Sequence, residues 1–238
     1  MRKYKIADLV VGIESNYERN YRQAEKYRVS DEIEPDFCLK ATEKEIDRLQ
    51  TLGQISRDDA DYCQNRLHFQ QAILNYDGLV LHSSAVVYEG RAYLFSANSG
   101  VGKSTHTRLW LQAFGKDAFI LNDDAPAIRF LNGRWLAYGT PWSGSSALNA
   151  NACAPLQGIA FLERSETNWI RRITPDQAFP LFMLQESLPY QRESATMLLD
   201  RALALVSSTP IYQLGCNLNA DAALVAYASM RENERADA

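Results

Sequence analysis

Lys103 and Ser104, inside the run Ser96–Thr105 (SANSGVGKST), and the pair Asp123–Asp124 twenty residues further on, have types and spacing that could do chemistry. A strand that feeds a glycine-rich turn and then a helix gathers backbone N–H groups around an anion, because the first helical turn leaves its donors without intrahelical acceptors. Lysine then reaches the outer phosphates of a nucleotide, and the hydroxyl that follows binds a magnesium ion. On that logic Asn98, Ser99, Gly100, Val101, Gly102, Lys103, Ser104 and Thr105 form a phosphate cradle. The usual leading glycine is replaced by Ala97. A methyl group is tolerable there if the backbone angle is ordinary.

Asp123 and Asp124 follow the apolar run Ala118–Leu121, where a nucleotide-binding domain places the carboxylate that helps hold magnesium. Two adjacent acids allow a division of labour: one serves the metal while the other takes a proton from an attacking hydroxyl. His82 is one of three histidines and closes the apolar run Leu79–Leu81. Taken alone, such a histidine reads as structural. His106 and Arg108 lie on the helix after the glycines, and His106 too reads as structural first and ligand second. The run YGTPWSG (138–144) has the composition of a pocket-shaping loop without fixing any chemistry.

The elements that must position these residues follow from patterning. Tyr4–Ile13 and Glu25–Val29 read as strands. Thr42 and Glu45 have capping-box spacing at the head of a helix with apolar Ile46 and Leu49 on one face and Gly53 as its stop. A second helix starts at Ser56, sets Tyr62, Phe69, Ile73 and Tyr76 at helical spacing, and ends by Gly78. These 78 residues hold no catalytic constellation and read as an appendage that packs or selects substrate. Two β-rich runs then meet at Glu89-Gly90, and another hairpin turns at Asn132-Gly133. The helix of residues 105–114 is followed by strands at 118–121, 156–164 and 168–173, helices over Pro175–Leu188 and Arg192–Ser207, a strand at 210–214 and a helix over Asp221–Arg231. Hairpins on both sides of the glycine loop imply an α/β fold with mixed sheets and exclude a strictly alternating parallel one. The division expected is an α+β appendage, 1–78, and a phosphate-binding domain, 79–238.

Composition narrows the class further. A net charge of −4 and a pI near 5.5 argue against a general nucleic-acid or membrane-surface binder. The basic N-terminus runs into polar sequence without a cleavage site, and Cys38, Cys63, Cys153 and Cys216 are scattered without paired spacing. Both point to a cytoplasmic protein with reduced thiols and no zinc site.

The stretch LHSSAVVYEGRAYLFSANSGVGKST followed by LNDDAP resembles the catalytic domain of HPr kinase/phosphorylase, within the phosphoenolpyruvate carboxykinase-like P-loop fold. That family has a histidine about fifteen residues before its loop, matching His82; its loop, Gly-Asp-Ser-Gly-Val-Gly-Lys-Ser, matches Ala97–Ser104 at six of eight positions. Its paired aspartates match Asp123 and Asp124. The similarity covers roughly residues 79–127. It implies ATP and Mg²⁺, with Lys103 on the β- and γ-phosphates, Ser104 and Asp124 on the metal, Asp123 as the base for the acceptor hydroxyl, and His82 beside them. The family's glycine- and acid-rich signature after the aspartates is absent, and YGTPWSGSSALNAN stands in that stretch. The first 78 residues are also unlike the family's regulatory domain, so the expected substrate is an unidentified hydroxyl compound, peptide or protein and not HPr, with a homo-oligomer as a further expectation. Two other readings stand beside the kinase: a carboxykinase-like enzyme, with Arg129, Arg134, Arg171 and Arg172 available as a carboxylate clamp, and a non-catalytic nucleotide sensor that docks a partner.

Overall fold

The computed structural model describes residues 1–186 and 191–231. The strand expected over Tyr4–Ile13 is two, β1 (Arg2–Ile6) and β2 (Leu9–Glu14), joined by a turn in which Ala7 and Asp8 both have positive φ. Glu25–Val29 is not a strand. α1 (Glu18–Ala24) runs into a tight 3-10 turn through Tyr27, and buried Asn20, Ala24 and Tyr27 fall at helical spacing on one side. β3 (Phe37–Lys40), too short for its pattern to be read, pairs in parallel with β2. α2 (Glu43–Gly53) has the expected Thr42–Glu45 capping box and passes through Gly53 before Gln54 ends it in the left-handed region. α3 (Arg57–Ala72) is capped by Ser56.

The remaining elements are β4 (Gly78–Val80), β5 (Ser83–Tyr88), β6 (Arg91–Ser96), α4 (Lys103–Phe114), β7 (Ala118–Asp124), β8 (Ala127–Leu131), β9 (Arg134–Tyr138), β10 (Cys153–Arg164), β11 (Trp169–Ile173), α5 (Pro175–Met183), α6 (Arg192–Ser208), β12 (Ile211–Cys216) and α7 (Asp221–Met230). The helix expected over Pro175–Leu188 stops at Met183; Leu188 lies outside the described residues. The fold is mixed α/β. A large sheet runs β7-β5-β6-β10-β12-β11, and a smaller one runs β4-β8-β9-β10. β10 belongs to both: Cys153–Pro155 pair with β9, Ile159–Arg164 with β12, and its ladder to β6 shifts between Leu156 and Gly158.

Alternation along the strands builds two cores. Ala85, Val87, Leu94, Ile159 and Phe161 face the smaller sheet, α5 and α6. Val86, Tyr93, Phe95, Ala160 and Leu162 face α4 and α7. Trp110 of α4 is fully buried there, its ring 4.7 Å from that of Tyr93 and 5.5 Å from that of Phe95. The N-terminal elements pack against Val80, Ala127, Tyr138 and Trp142 through a third apolar cluster.

Candidate functional site

Register brings the expected residues to one sheet edge. β6, β10 and β12 run parallel, and β5 runs antiparallel to both β6 and β7, so β6 and β7 end on the same side. At that edge Ser83 pairs with Ser96 on one flank and Asp124 on the other. His82, just before β5, is thereby set between the glycine loop and the acids. Asp123 and Asp124 are the last two residues of β7 and not a turn after it, so the pleat separates their side chains: Asp123 is 5% exposed and Asp124 partly so.

The loop between β6 and α4 has the shape its glycines allow. Gly100 and Gly102 take φ of 78° and 128°, values closed to ordinary side chains, and Gly102 delivers the chain into α4, whose first turn no side chain caps. Ala97 is not among the residues of positive φ; it is buried with Phe95, Leu109 and Trp110. Its methyl therefore packs the core under the loop. Ala97→Gly is expected to leave the loop's binding capacity intact and to lower unfolding free energy by about 1 kcal/mol in a denaturant titration.

A cavity of 340 Å³ opens here, lined by His82, Ser99, Gly100, Gly102–Thr105, Asp123, Asp124 and Gly144–Ser146. Two of the expected cradle residues turn elsewhere. Asn98 takes a hydrogen bond from Gln185 (3.1 Å), and Val101 packs against the apolar cluster beneath. His106 is buried, its Nε2 accepting from Trp110 Nε1 at 3.2 Å, and desolvation pushes it down to about 3. It is a neutral core residue. Of the run 138–144, Gly144 lines the cavity; Gly139 instead meets the Ala150 carbonyl so closely that no β-carbon fits, and Trp142 is buried in the apolar cluster under the N-terminal elements.

Charge is concentrated at Asp124. Its Oδ1 lies 3.3 Å from His82 Nε2 and its Oδ2 2.7 Å from Arg66 Nη1. Burial pushes this carboxyl up, but the His82 hydrogen bond and the charges of Arg66, His82 and Lys103 together hold it below its ordinary value. Lys103 is bonded to the Ala97 carbonyl at 2.8 Å, and desolvation moves its ammonium downward despite both aspartates. The Asp123 carboxylate makes no hydrogen bond to any described residue, while its N–H is fixed on the Leu148 carbonyl at 3.0 Å. Among the described residues no three or more His, Cys, Asp and Glu side chains gather as a metal cage.

No family model matches the chain, and no curated protein matches it in sequence. Among solved structures it is similar to the HPr(Ser) kinase/phosphatase from Coxiella burnetii, at 12% identity over 66% of this chain and 90% of that one, with a TM-score of 0.38. The likeness is a distant one of fold.

Arg66 is the site residue that sequence reasoning missed, and it comes from the N-terminal 78 residues. Arg19 of α1 also reaches the site, donating to the Gly144 carbonyl at 3.0 Å while it pairs with Asp59 and lies over the Tyr62 ring. Glu186 was missed as well. Its Oε1 accepts weakly from the His82 N–H (3.4 Å), and desolvation pushes its carboxyl up to about 8. The folded protein therefore keeps this proton from the ordinary 4.5 up to about 8 while the unfolded chain has lost it, so stability falls as pH rises through that window. Glu186→Gln is expected to remove this slope. Its stability relative to the parent should rise by at most about 1.4 kcal/mol per pH unit and level off above the window, measured by denaturation at stepped pH.

Proposed function

We propose that this protein is an ATP- and Mg²⁺-dependent kinase that transfers the γ-phosphate to a hydroxyl of a small molecule, peptide or protein, on a P-loop fold of the phosphoenolpyruvate carboxykinase-like type. Residues 1–78 act as a unit that completes the site of the domain formed by 79–238. The observation that carries this reading is one cavity wall shared by the uncapped start of α4, Lys103, Ser104 and the Asp123–Asp124 pair.

In this reading Ser99, Gly100 and Gly102–Thr105 bind the phosphates through backbone N–H groups and Lys103 draws its ammonium from the Ala97 carbonyl to the β- and γ-oxygens. Ser104 and Asp124 would hold Mg²⁺. A hydroxyl and a carboxylate are hard oxygen donors of the kind that ion takes beside phosphates and water, and it would screen phosphate charge. Asp123, buried and without a donor among the described residues, accepts the proton of the incoming hydroxyl as the new O–P bond forms and the bond from phosphorus to the bridging oxygen breaks, releasing ADP. His82 fixes Asp124. None of Arg129, Arg134, Arg171 and Arg172 lines the cavity, and Arg129 is spent on the carbonyls of Tyr76 and Ala7, which favours a hydroxyl acceptor over a carboxylate clamp.

The test is transfer from γ-labelled ATP with Mg²⁺ into a host-cell extract split into small-molecule and protein fractions, with Lys103→Ala as control. Label in one fraction, lost in the variant, supports the kinase and names its substrate class. ATP binding without label in either fraction would replace it with the sensor.

A further inference from the structure

Lys103 lies beside two carboxylates yet bonds to neither; its partner is a backbone carbonyl. Asp124, the acid that acts on it most strongly, has both oxygens engaged, one by His82 and one by Arg66. We infer that Arg66 is a positioning residue: by neutralising Asp124 from behind, it keeps that carboxylate from capturing Lys103 and so leaves the lysine available to a nucleotide. This rests on the nucleotide reading above.

Three observations support the assignment. Tyr62, Arg66, Phe69 and Ile73 follow one another at helical spacing, and the other three members of that stripe are buried. The packed stripe fixes the stem of Arg66, so the guanidinium reaches Asp124 at little further cost in side-chain entropy. Among the described residues Arg66 binds no other carboxylate: Nη1 meets Asp124, and its buried Nε has no acceptor. A buried donor left unpaired is costly, which marks a guanidinium placed for one charge and not for maximal hydrogen bonding. Finally, a lysine on a neutral carbonyl is released to a phosphate more easily than one in a partly buried ion pair, because a broken ion pair leaves an uncompensated charge. Without Arg66, Lys103 is the remaining lysine or arginine that shares the cavity wall with Asp124 and whose charge acts on it.

The readout is the affinity for ATP in EDTA, where no metal ligand is in play, by equilibrium titration of the full chain. Arg66→Met is expected to weaken metal-free ATP binding roughly tenfold, and Arg66→Lys to keep most of it. Adding Asp124→Asn to the Arg66→Met chain removes the captor and should restore affinity to near the parent's, whereas Asp124→Asn alone should change it little. Arg66→Gln, closer in shape, is carried in parallel so that poor folding of the methionine variant leaves the test standing. Equal gains from Asp124→Asn in the parent and in the Arg66 variants would mean simple charge additivity and would overturn capture, as would unchanged affinity in Arg66→Met. A parent chain that binds no ATP would instead sink the nucleotide reading itself.

Discussion

Lys103→Ala is expected to slow phosphoryl transfer roughly 10²–10³-fold while shifting unfolding free energy by no more than about 1 kcal/mol. The two halves of this expectation have separate causes. Transfer of a phosphoryl group involves little covalent work by the protein, so positioning and charge on the γ-oxygens carry most of the rate. Lys103 is the cation nearest the glycine loop in the cavity wall. For stability, its ammonium makes one hydrogen bond, to the Ala97 carbonyl, and the cavity lets water replace it. Single-turnover transfer of labelled phosphate measures the first half and urea denaturation the second. Full turnover in the variant would move the chemistry away from this loop.

Asp123→Asn separates chemistry from binding. Asparagine keeps the shape of the side chain but cannot take a proton, so the rate of transfer should fall by about 10²–10⁴-fold with ATP affinity close to the parent's. The backbone of Asp123 is held independently, through its N–H on the Leu148 carbonyl and through neighbouring Asn122, whose amide donates to the Thr140 carbonyl at 2.8 Å. The substitution therefore changes one function at a fixed position. Measured rate and affinity for parent and variant decide it: a rate within a few-fold of the parent's would remove Asp123 as the base, and equal losses of affinity and rate would make it a binding residue.

Much of the site's frame was legible because its determinants are local. The glycine turn between β6 and α4, hairpins at Glu89-Gly90 and Asn132-Gly133, and the Thr42–Glu45 cap are decided within a few residues of chain, and the structure has each of them. What pattern could not supply was long-range. The hairpin at Ala7-Asp8 uses residues that only tolerate the left-handed region, so the run read as one strand. The placement of His82 beside Asp124 depends on β5 pairing with both β6 and β7, a register set by burial on two faces. Arg66 left a trace that went unread. A cation within the stripe of Tyr62, Phe69 and Ile73 must meet an anion somewhere in the fold, but nothing in α3 says that the anion is Asp124, fifty-eight residues later.

The most direct measurement is backbone amide exchange over residues 96–110 with and without MgATP, in the parent and in Lys103→Ala. The open first turn of α4 and the loop before it should exchange slowly only when phosphate oxygens accept their N–H groups. Strong nucleotide-dependent slowing at Ser99, Gly100 and Gly102–Thr105, weakened in the variant and absent from α2, is the result expected. Bound ATP that leaves this loop's exchange unchanged, or slows a different segment, would contradict the assignment of the loop as the phosphate site.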